Sequence, residues 1–231
     1  MARKSTPTYP ADAAAFRRQL IRWFRRCGRD LPWRRTRNPY HILVSEFMLQ
    51  QTQVSRVESF YHRFLSQYPT LDALASAPAS QVRESWDGLG YYRRAANLQR
   101  LAQEVMQRGG AIPSDPEELR RLPGVGRYTA AAVASFAFER AVAPVDTNVA
   151  RVLRRAFHPG ARRRTLEGRL WQSAELLLPR RGKSAWIFNQ AIIELGALVC
   201  TARAPRCPHC PVKKVCRTWR SGRLREHGSR E

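Results

Sequence analysis

Apolar side chains recur every three to four residues along most of this chain. In segment 11–26, one helical face collects four large apolar side chains, Phe16, Leu20, Trp23 and Phe24. That spacing predicts an amphipathic helix, and Gly28 predicts its end. The same pattern predicts further helices at 40–49, 54–68, 71–77, 79–86, 92–108, 129–138, 148–157, 165–178 and 184–198.

Turn-forming and capping residues separate these segments. Asp115 is placed to cap a helix whose first residue is Pro116, and Glu118 would complete a capping box. Two prolines between Leu31 and Tyr40 predict a loop, and residues 1–10 are typical of a disordered lead-in. No stretch of five residues alternates cleanly enough to predict a strand, so we expect an all-α fold of about ten short helices.

The chain is strongly basic, with 41 Lys and Arg residues, 18 Asp and Glu residues and a net charge of +23. Such an excess suits a polyanionic partner. A basic tail on an ordinary protein is the alternative, and the segment after residue 216 is indeed rich in arginine. Basic residues also run through 22–37, 151–164 and 180–183, however, and this spread favours nucleic acid.

Length and composition restrict the setting of the protein. At 231 residues and 43% apolar content, the chain is long enough for one large domain or two small ones. It contains no apolar run of membrane length and no signal-peptide pattern. We therefore expect a cytoplasmic, nucleoid-associated protein with no membrane partner, in which thiols stay reduced.

Four cysteines near the C-terminus, Cys200, Cys207, Cys210 and Cys216, are separated by six, two and five residues. This spacing is typical of a metal site rather than a disulfide framework. An iron–sulfur cluster and a tetrahedral zinc ion both fit it. Cys27 is left over and is expected to be a small buried residue, whereas His209 is expected to be a solvated loop residue.

Segment 122–127 reads Leu-Pro-Gly-Val-Gly-Arg and precedes a predicted helix. Gly124 and Gly126 allow backbone conformations closed to other residues, and they would let a phosphodiester approach the amides at the helix start. An ordinary turn between two helices is the alternative. Phosphate contacts position a protein without specifying a base, so the chemistry must lie elsewhere.

Two carboxyl groups are candidates for that chemistry. Glu46 lies in an apolar segment, where partial desolvation would raise its pKa and make it a proton donor near neutral pH. Asp146 precedes a predicted helix, and as its N-cap it would be held ionised by backbone N–H groups. A solvated glutamate and a simple cap are the alternatives. Together the pair matches what cleavage of an N-glycosidic bond needs, one protonated acid and one carboxylate facing a cationic sugar.

From about residue 16 to 219, the chain resembles the helix-hairpin-helix DNA glycosylases of the endonuclease III superfamily, and most closely the MutY adenine DNA glycosylases. The matching segments are 31–34, 45–52, 88–92, 122–127, 145–148, 188–190 and the cysteine loop 200–216. The resemblance implies a two-lobed all-α fold that holds a [4Fe-4S] cluster on Cys200, Cys207, Cys210 and Cys216. It also implies phosphate binding by Gly124, Val125, Gly126 and Arg127.

The resemblance further implies a role for each candidate catalytic residue. Glu46 matches the acid that protonates adenine and later assists water, and Asp146 matches the carboxylate that stabilises the cationic sugar. Asn148 matches the residue that orients Asp146. Tyr128 stands where bifunctional relatives carry a Schiff-base lysine, so strand cleavage should be absent or weak.

Extrusion of the target base is also implied, because its reactive atoms are inaccessible inside the stacked duplex. Gln51 and Tyr91 match residues that wedge into the helix where the nucleotide leaves. The residues that match the wall of the base pocket are Trp33, Arg34, Leu49, Val54 and Gln190.

The resemblance predicts a monomer acting on mispaired double-stranded DNA. Residues 32–141 would form a six-helix module, and 1–31 would pack with a cluster lobe at 142–231. Glu46 and Asp146 would face each other across the cleft. We expect adenine release opposite guanine or 8-oxoguanine, although the domain that reads 8-oxoguanine in two-domain relatives is not expected here. The alternative activity is removal of thymine or uracil opposite guanine. Short relatives have this activity, but they lack the Met-Leu-Gln-Gln-Thr pattern found here at 48–52. A less favoured alternative is a non-catalytic iron–sulfur DNA-binding protein.

Overall fold

The computed structural model describes residues 12–222, and this part of the chain is helical with no strand. It divides into two compact units. The central unit is residues 30–144, and the terminal unit consists of the described residues on either side of it. The α-helices are α1 Ala13–Cys27, α2 Pro39–Leu49, α3 Val54–Gln67, α4 Leu71–Ser76, α5 Ala79–Glu84, α6 Arg93–Gln107, α7 Pro116–Leu119, α8 Arg127–Phe138, α9 Thr147–Phe157, α10 Arg163–Leu177, α11 Gly182–Leu198 and α12 Arg217–Arg220.

The core of the central unit is built around α2. Every residue from 42 to 48 on this helix is buried, because α2 is apolar on nearly all faces and packs against α3, α6 and α8. Asn38 begins it, its side chain accepting from the amides of Tyr40 and His41, and Pro39 occupies the first turn, where a missing N–H costs nothing. A helix apolar all round must lie inside a fold, and α2 does.

The terminal unit is organised by α9 and α11, which pack against each other. The helix α1 packs on α11, and α9 also contacts α10 and α12. The Phe16 and Phe157 rings join α1 to the end of α9, with centroids 5.1 Å apart. Arg29 donates to both carboxylate oxygens of the fully buried Glu194 at 2.8 Å, so a bidentate ion pair fixes the segment after α1 to α11.

The predicted helices are confirmed with small shifts at their ends, and so is the cap of α7 by Asp115, whose side chain accepts from the amide of Glu117 at 2.8 Å. The predicted loop between 31 and 40 contains a 3-10 turn at Pro32–Arg34 and the first turn of α2. The prediction for Cys27 is wrong. This residue is exposed, because it ends α1 on the face away from the core.

The predicted six-helix module at 32–141 compares with a central unit at 30–144 that contains seven α-helices, one of them the four-residue α7. The predicted lead-in at 1–10 and the last nine residues of the basic tail lie outside the described residues. Among the described helices, none combines the length and the apolar character needed to cross a membrane.

Candidate functional site

Glu46 lies in the middle of α2 and is only 5% exposed. Its neighbours Ser45 and Phe47 are buried as well, which confirms that the apolar segment takes its one acidic residue into the interior. Burying a carboxyl group costs free energy, so an acidic residue at this position indicates a function other than packing. The burial predicted for Glu46 is therefore confirmed, and its role as a proton donor stays a prediction.

The hairpin lies directly against the helix that carries Glu46. Gly124 adopts φ +74°, and a Cβ at this position would meet the Asn97 Cβ at 2.8 Å and the Phe47 ring at 3.0 Å. Both the left-handed backbone and the close approach exclude a larger residue. The glycine thus allows the hairpin to pack on the residue that follows Glu46.

The second hairpin glycine differs from the prediction. Gly126 has φ −85°, which any residue adopts, and a Cβ there would meet nothing within 4 Å. It is the N-cap of α8, so its small size leaves the helix start open to an approaching group. Val125 is buried and its N–H already donates to the Leu122 carbonyl at 3.2 Å. Gly124, Gly126 and Arg127 remain exposed, and phosphate binding stays a prediction.

Both predicted wedge residues have unusual backbones. Of the described residues other than glycine, three have positive φ, and two of them are Gln51 at 57° and Tyr91 at 50°. Tyr91 is 60% exposed, more than any other large hydrophobic side chain of the described residues. Such strain persists only where surrounding structure imposes it, and it concentrates at functional sites. The predicted insertion into DNA therefore has a structural counterpart in two strained, exposed loops.

Arg94 holds these two loops together, and sequence reasoning missed it. Its side chain is 7% exposed and donates only to uncharged oxygens. The acceptors are the carbonyls of Phe47 (3.1 Å), Met48 (2.7 Å), Gln50, Leu89 (3.3 Å) and Gly90 (3.0 Å), and the Thr52 hydroxyl (3.1 Å). Its guanidinium also lies 5.4 Å from the Tyr91 ring centroid. In a chain with so many arginines, no spacing signal distinguishes this one.

The residues predicted to form the base pocket are spread over both units. Trp33 is buried in the central unit, where its ring meets the Tyr61 ring edge-on with centroids 5.4 Å apart. The 3-10 turn that carries Trp33 and Arg34 packs against α2, which ends at Leu49, and α3 begins at Val54. Tyr128, half-buried, is the second residue of α8. Gln190 is buried on α11, in the terminal unit.

Asp146 is the N-cap of α9, as predicted. Its carboxylate accepts from the Val149 amide at 2.7 Å and from the Asn148 side chain at 2.9 Å. Burial nevertheless raises its pKa, outweighing the hydrogen bonds from Val149 and Asn148 and the nearby Arg151, all of which lower it. We expected backbone N–H groups to hold Asp146 ionised; they do lower its pKa, but desolvation is the larger effect. A cavity of about 300 Å³ opens beside Asp146.

A hydrogen-bonded chain connects Asp146 to the cysteine loop. Asn148 accepts from Arg151 at 2.7 Å, and Arg151 also donates to the carbonyls of Gly196 and Cys200, each at 2.7 Å. A Cβ at Gly196 would meet the Asn148 Cβ at 2.7 Å, so the glycine allows α11 to approach α9 here. The predicted orienting residue Asn148 is therefore itself oriented by Arg151, which the sequence did not single out.

The four cysteines of the loop line one small cavity. Burial, followed by the neighbouring thiols, raises the pKa of Cys207 and of Cys216, and burial raises that of Cys210 to about 12. Arg155 lies at the same cavity, with a nitrogen 3.4 Å from the Cys200 sulfur. Within residues 12–222, no three His, Cys, Asp or Glu side chains are grouped as they would be around a single metal ion. His209 is exposed, as predicted.

Comparison with known proteins places these features in a family. Residues 44–175 match the HhH-GPD superfamily of base excision DNA repair proteins. The chain is 46% identical to the adenine DNA glycosylase of Rattus norvegicus over 90% of its own length and 42% of that relative. It is also 46% identical to the adenine DNA glycosylase of Mycolicibacterium smegmatis, of which it covers 69%. The chain thus spans less than half the length of its mammalian relative.

Relatives with other names also match, over nearly their whole length. A thymine-DNA glycosylase of Aeropyrum pernix is 39% identical, and 93% of it is covered. The structure of a thermostable thymine-DNA glycosylase superposes with a TM-score of 0.83 at 32% identity, covering 91% of this chain and 97% of that one. A non-covalent endonuclease III–DNA complex superposes with a TM-score of 0.77 at 27% identity, covering 95% and 100%.

Proposed function

Because the chain belongs to the HhH-GPD superfamily of base excision DNA repair proteins, we propose that it is a monofunctional DNA glycosylase that excises adenine mispaired with guanine or 8-oxoguanine. The observation that carries the proposal is the contrast between two carboxyl groups, Glu46 inside an apolar helix and Asp146 at a hydrogen-bonded helix cap. Relatives that are named adenine DNA glycosylases support the choice of base.

In the proposed reaction, Glu46 donates a proton to the adenine ring, which turns the base into a better leaving group. The glycosidic bond breaks as positive charge develops on the sugar, and the Asp146 carboxylate stabilises that charge. Asn148 and Arg151 hold Asp146 in place through the hydrogen bonds described above. Glu46, now ionised, then assists the attack of water on the sugar.

The absence of an amine nucleophile supports a monofunctional enzyme. Tyr128 stands where a Schiff-base lysine would be needed, and the sequence contains no lysine between residues 5 and 182. Without a lysine amine in the central unit, that unit offers no route to a covalent imine with the sugar. The expected product is therefore an abasic site on an intact strand.

The strained loops support base extrusion. Gln51 and Tyr91 are exposed on backbones that Arg94 fixes, and such rigid projections could fill the space that the extruded nucleotide leaves. We propose that Trp33, Arg34, Leu49, Val54 and Gln190 contact the extruded base. Gln190 offers both a donor and an acceptor to the edge of adenine.

We also propose that Cys200, Cys207, Cys210 and Cys216 hold a [4Fe-4S] cluster. The four thiols line one cavity, which supports a shared metal site, and the resemblance to the endonuclease III superfamily supports a cluster over a single tetrahedral zinc. Such a cluster would cross-link the loop and fix its backbone against α9. Metal analysis of protein purified without oxygen should give about four iron atoms per chain. Zinc in their place would reject the cluster.

A thymine glycosylase is the second candidate, and one observation favours it. The structure superposes on that of a thermostable thymine-DNA glycosylase with a TM-score of 0.83 at 32% identity. The same carboxyl groups would serve either base, so the choice depends on the pocket and on which weak pairs are extruded.

One assay separates the two candidates. Duplexes that carry adenine, thymine or uracil opposite guanine or 8-oxoguanine are incubated with the protein, and alkali then cleaves the strand at each abasic site. The proposal predicts adenine release opposite both purines, little thymine release and no cleavage before alkali. If thymine opposite guanine is processed faster than adenine, the second candidate replaces the first.

A further inference from the structure

A basic groove in the terminal unit lies outside the machinery described so far. It runs between α1 and the segment that joins α10 to α11, and it has a volume of about 780 Å³. Its cationic lining consists of Arg17, Arg18, Arg22, Arg25, Arg26, Arg180 and Arg181. No residue of the hairpin, the wedge loops, the cysteine loop or the Asp146 cavity belongs to it. We define these lining residues as the arginine groove.

Six of the seven groove arginines, all except Arg17, have no partner within the described structure. The helix α1 has five arginines and no acidic residue, and segment 179–184 adds two arginines and a lysine. These six arginines are exposed, and none of the six forms a hydrogen bond or ion pair with a residue from 12 to 222. Other exposed arginines of the same fold, such as Arg120 and Arg220, do pair with carboxylates. Uncompensated like charges held together cost stability unless an anion joins them.

The lining of the groove favours an anion with apolar side chains. Ala14, Ile21 and Pro179 line it between the arginines. A phosphodiester chain would have nothing to place against such a floor, and the groove has no aromatic residue on which a base could stack. An extended acidic peptide, by contrast, could place carboxylates on the guanidinium groups and an apolar side chain on the floor.

The terminal residues of the sequence are poor candidates for that peptide. Residues 1–11 contain no acidic residue, and the last nine residues carry three arginines and two glutamates. A second copy of the chain would bring a net charge of +23 towards the groove. The charge of the groove therefore favours an acidic partner protein as the occupant.

We propose that the arginine groove docks an acidic segment of a partner protein, in which carboxylates alternate with apolar side chains. Docking would leave the Asp146 end of the terminal unit free. Arg181 immediately precedes α11, whereas Asn148 packs against Gly196, fourteen residues further along that helix. At the rise of an α-helix this separation is about 20 Å. The surface can thus hold a partner while the enzyme acts on DNA.

The test uses the full chain and a fluorescent octapeptide of alternating glutamate and leucine. The groove variant combines Arg22→Gln, Arg25→Gln and Arg181→Gln. Its matched control combines Arg154→Gln, Arg164→Gln and Arg169→Gln, which are exposed, lie in the same unit outside the groove and remove the same charge. We expect the groove variant to bind the peptide about tenfold more weakly, and the control to change binding less than about threefold. Adenine release should be unchanged in both variants.

Two further measurements identify the occupant. Ile21→Ser should weaken binding of the leucine peptide but not of a peptide in which serine replaces leucine. Affinity for a duplex without a mispair should fall equally in the groove variant and its control. If the groove variant loses affinity for the duplex as strongly as for the peptide, the groove is a DNA contact and the proposal fails. Equal losses of peptide binding in groove and control variants would also overturn it, because net charge alone would explain them.

Discussion

The two regions that carry the candidate carboxyl groups differ in how they bury an acidic side chain. Around Glu46, seven consecutive residues of α2 are buried. Around Asp146, the carboxylate is half-buried, caps α9 and accepts from Asn148. The first carboxyl group lies within a buried helix, whereas the second is held by hydrogen-bond donors even though burial raises its pKa.

An arginine holds each region in place, and the two arginines differ in how deeply they are buried. Arg94 is buried and donates to the end of α2 and to the loop before Tyr91. Arg151 is half-buried and connects Asn148 to the carbonyl of Cys200. One arginine therefore sets the shape of a DNA-facing candidate surface, and the other couples a carboxylate to the cysteine loop. Each region therefore has its own positioning arginine.

The largest effect expected is that of Glu46→Gln. Glutamine keeps the volume but cannot donate the proton, so adenine release should fall by about 10²–10⁴-fold while DNA affinity stays nearly unchanged. Single-turnover assays and binding titrations measure the two quantities. Glu84→Gln, at an exposed glutamate of the same unit, is the control. A loss of less than tenfold would remove Glu46 from the proposed mechanism.

Replacing Asp146 tests whether its cap and its chemistry can be separated. Asp146→Asn and Asp146→Ala should both reduce adenine release by at least about a hundredfold, because neither supplies an anion to the sugar. Only the alanine variant loses the cap, so its free energy of unfolding should be about 1 kcal/mol lower than that of the asparagine variant. Chemical denaturation provides this comparison. Full activity in the asparagine variant would mean that capping is the whole role of Asp146.

Arg94→Met would leave several backbone carbonyls without their donor. We expect the free energy of unfolding to fall by about 3 kcal/mol, since buried polar groups are costly when unpaired. At a temperature where the variant remains folded, base extrusion should still be impaired, because the Gln51 and Tyr91 loops lose their common support. Fluorescence of a 2-aminopurine placed next to the mispair reports extrusion. Arg93→Met is the exposed control, and equal effects of the two substitutions would exclude the clamp.

Arg151→Gln should have a smaller effect of the same kind on the terminal unit. The hydrogen bonds to Asn148, Gly196 and Cys200 would be lost, so adenine release should fall by about tenfold, equivalent to about 1.4 kcal/mol. Iron content should be measured alongside, because the Cys200 carbonyl is one of the acceptors. Arg154→Gln, an exposed arginine on the same helix, should leave both unchanged. An unaltered rate in Arg151→Gln would show that Asp146 needs no support from the cysteine loop.

The smallest effect expected is a pH dependence of stability that arises from Asp146. Its pKa is raised in the folded state above the ordinary value of 3.8. The folded protein therefore binds this proton more tightly than the unfolded chain, so the contribution is present at low pH and is lost as pH rises through the folded pKa. Between about pH 4 and pH 7, the wild type should lose stability relative to Asp146→Asn. An opposite trend in denaturation would mean that the hydrogen bonds outweigh burial.

The sequence alone predicted the helical fold and most of the candidate chemistry. Apolar periodicity located the helices, because one face of each must be buried, and the unbroken apolar run around Glu46 predicted its burial correctly. Asp115 and Asp146 were recognisable as caps from their positions before helices. These are local signals, and local backbone hydrogen bonds determine them. The base-pocket roles and the cluster stay predictions that follow from the resemblance.

Only the tertiary structure decided how those elements contact one another and which residues they leave exposed. It showed that Gly124 needs a left-handed backbone whereas Gly126 does not, and that Cys27 is exposed. It also distinguished Arg94 and Arg151, which hold separate segments together, from the arginines that line the groove. In a sequence of this composition all arginines look alike. Their roles depend on which carbonyls, carboxylates or open surfaces the folded chain brings within reach of each guanidinium group.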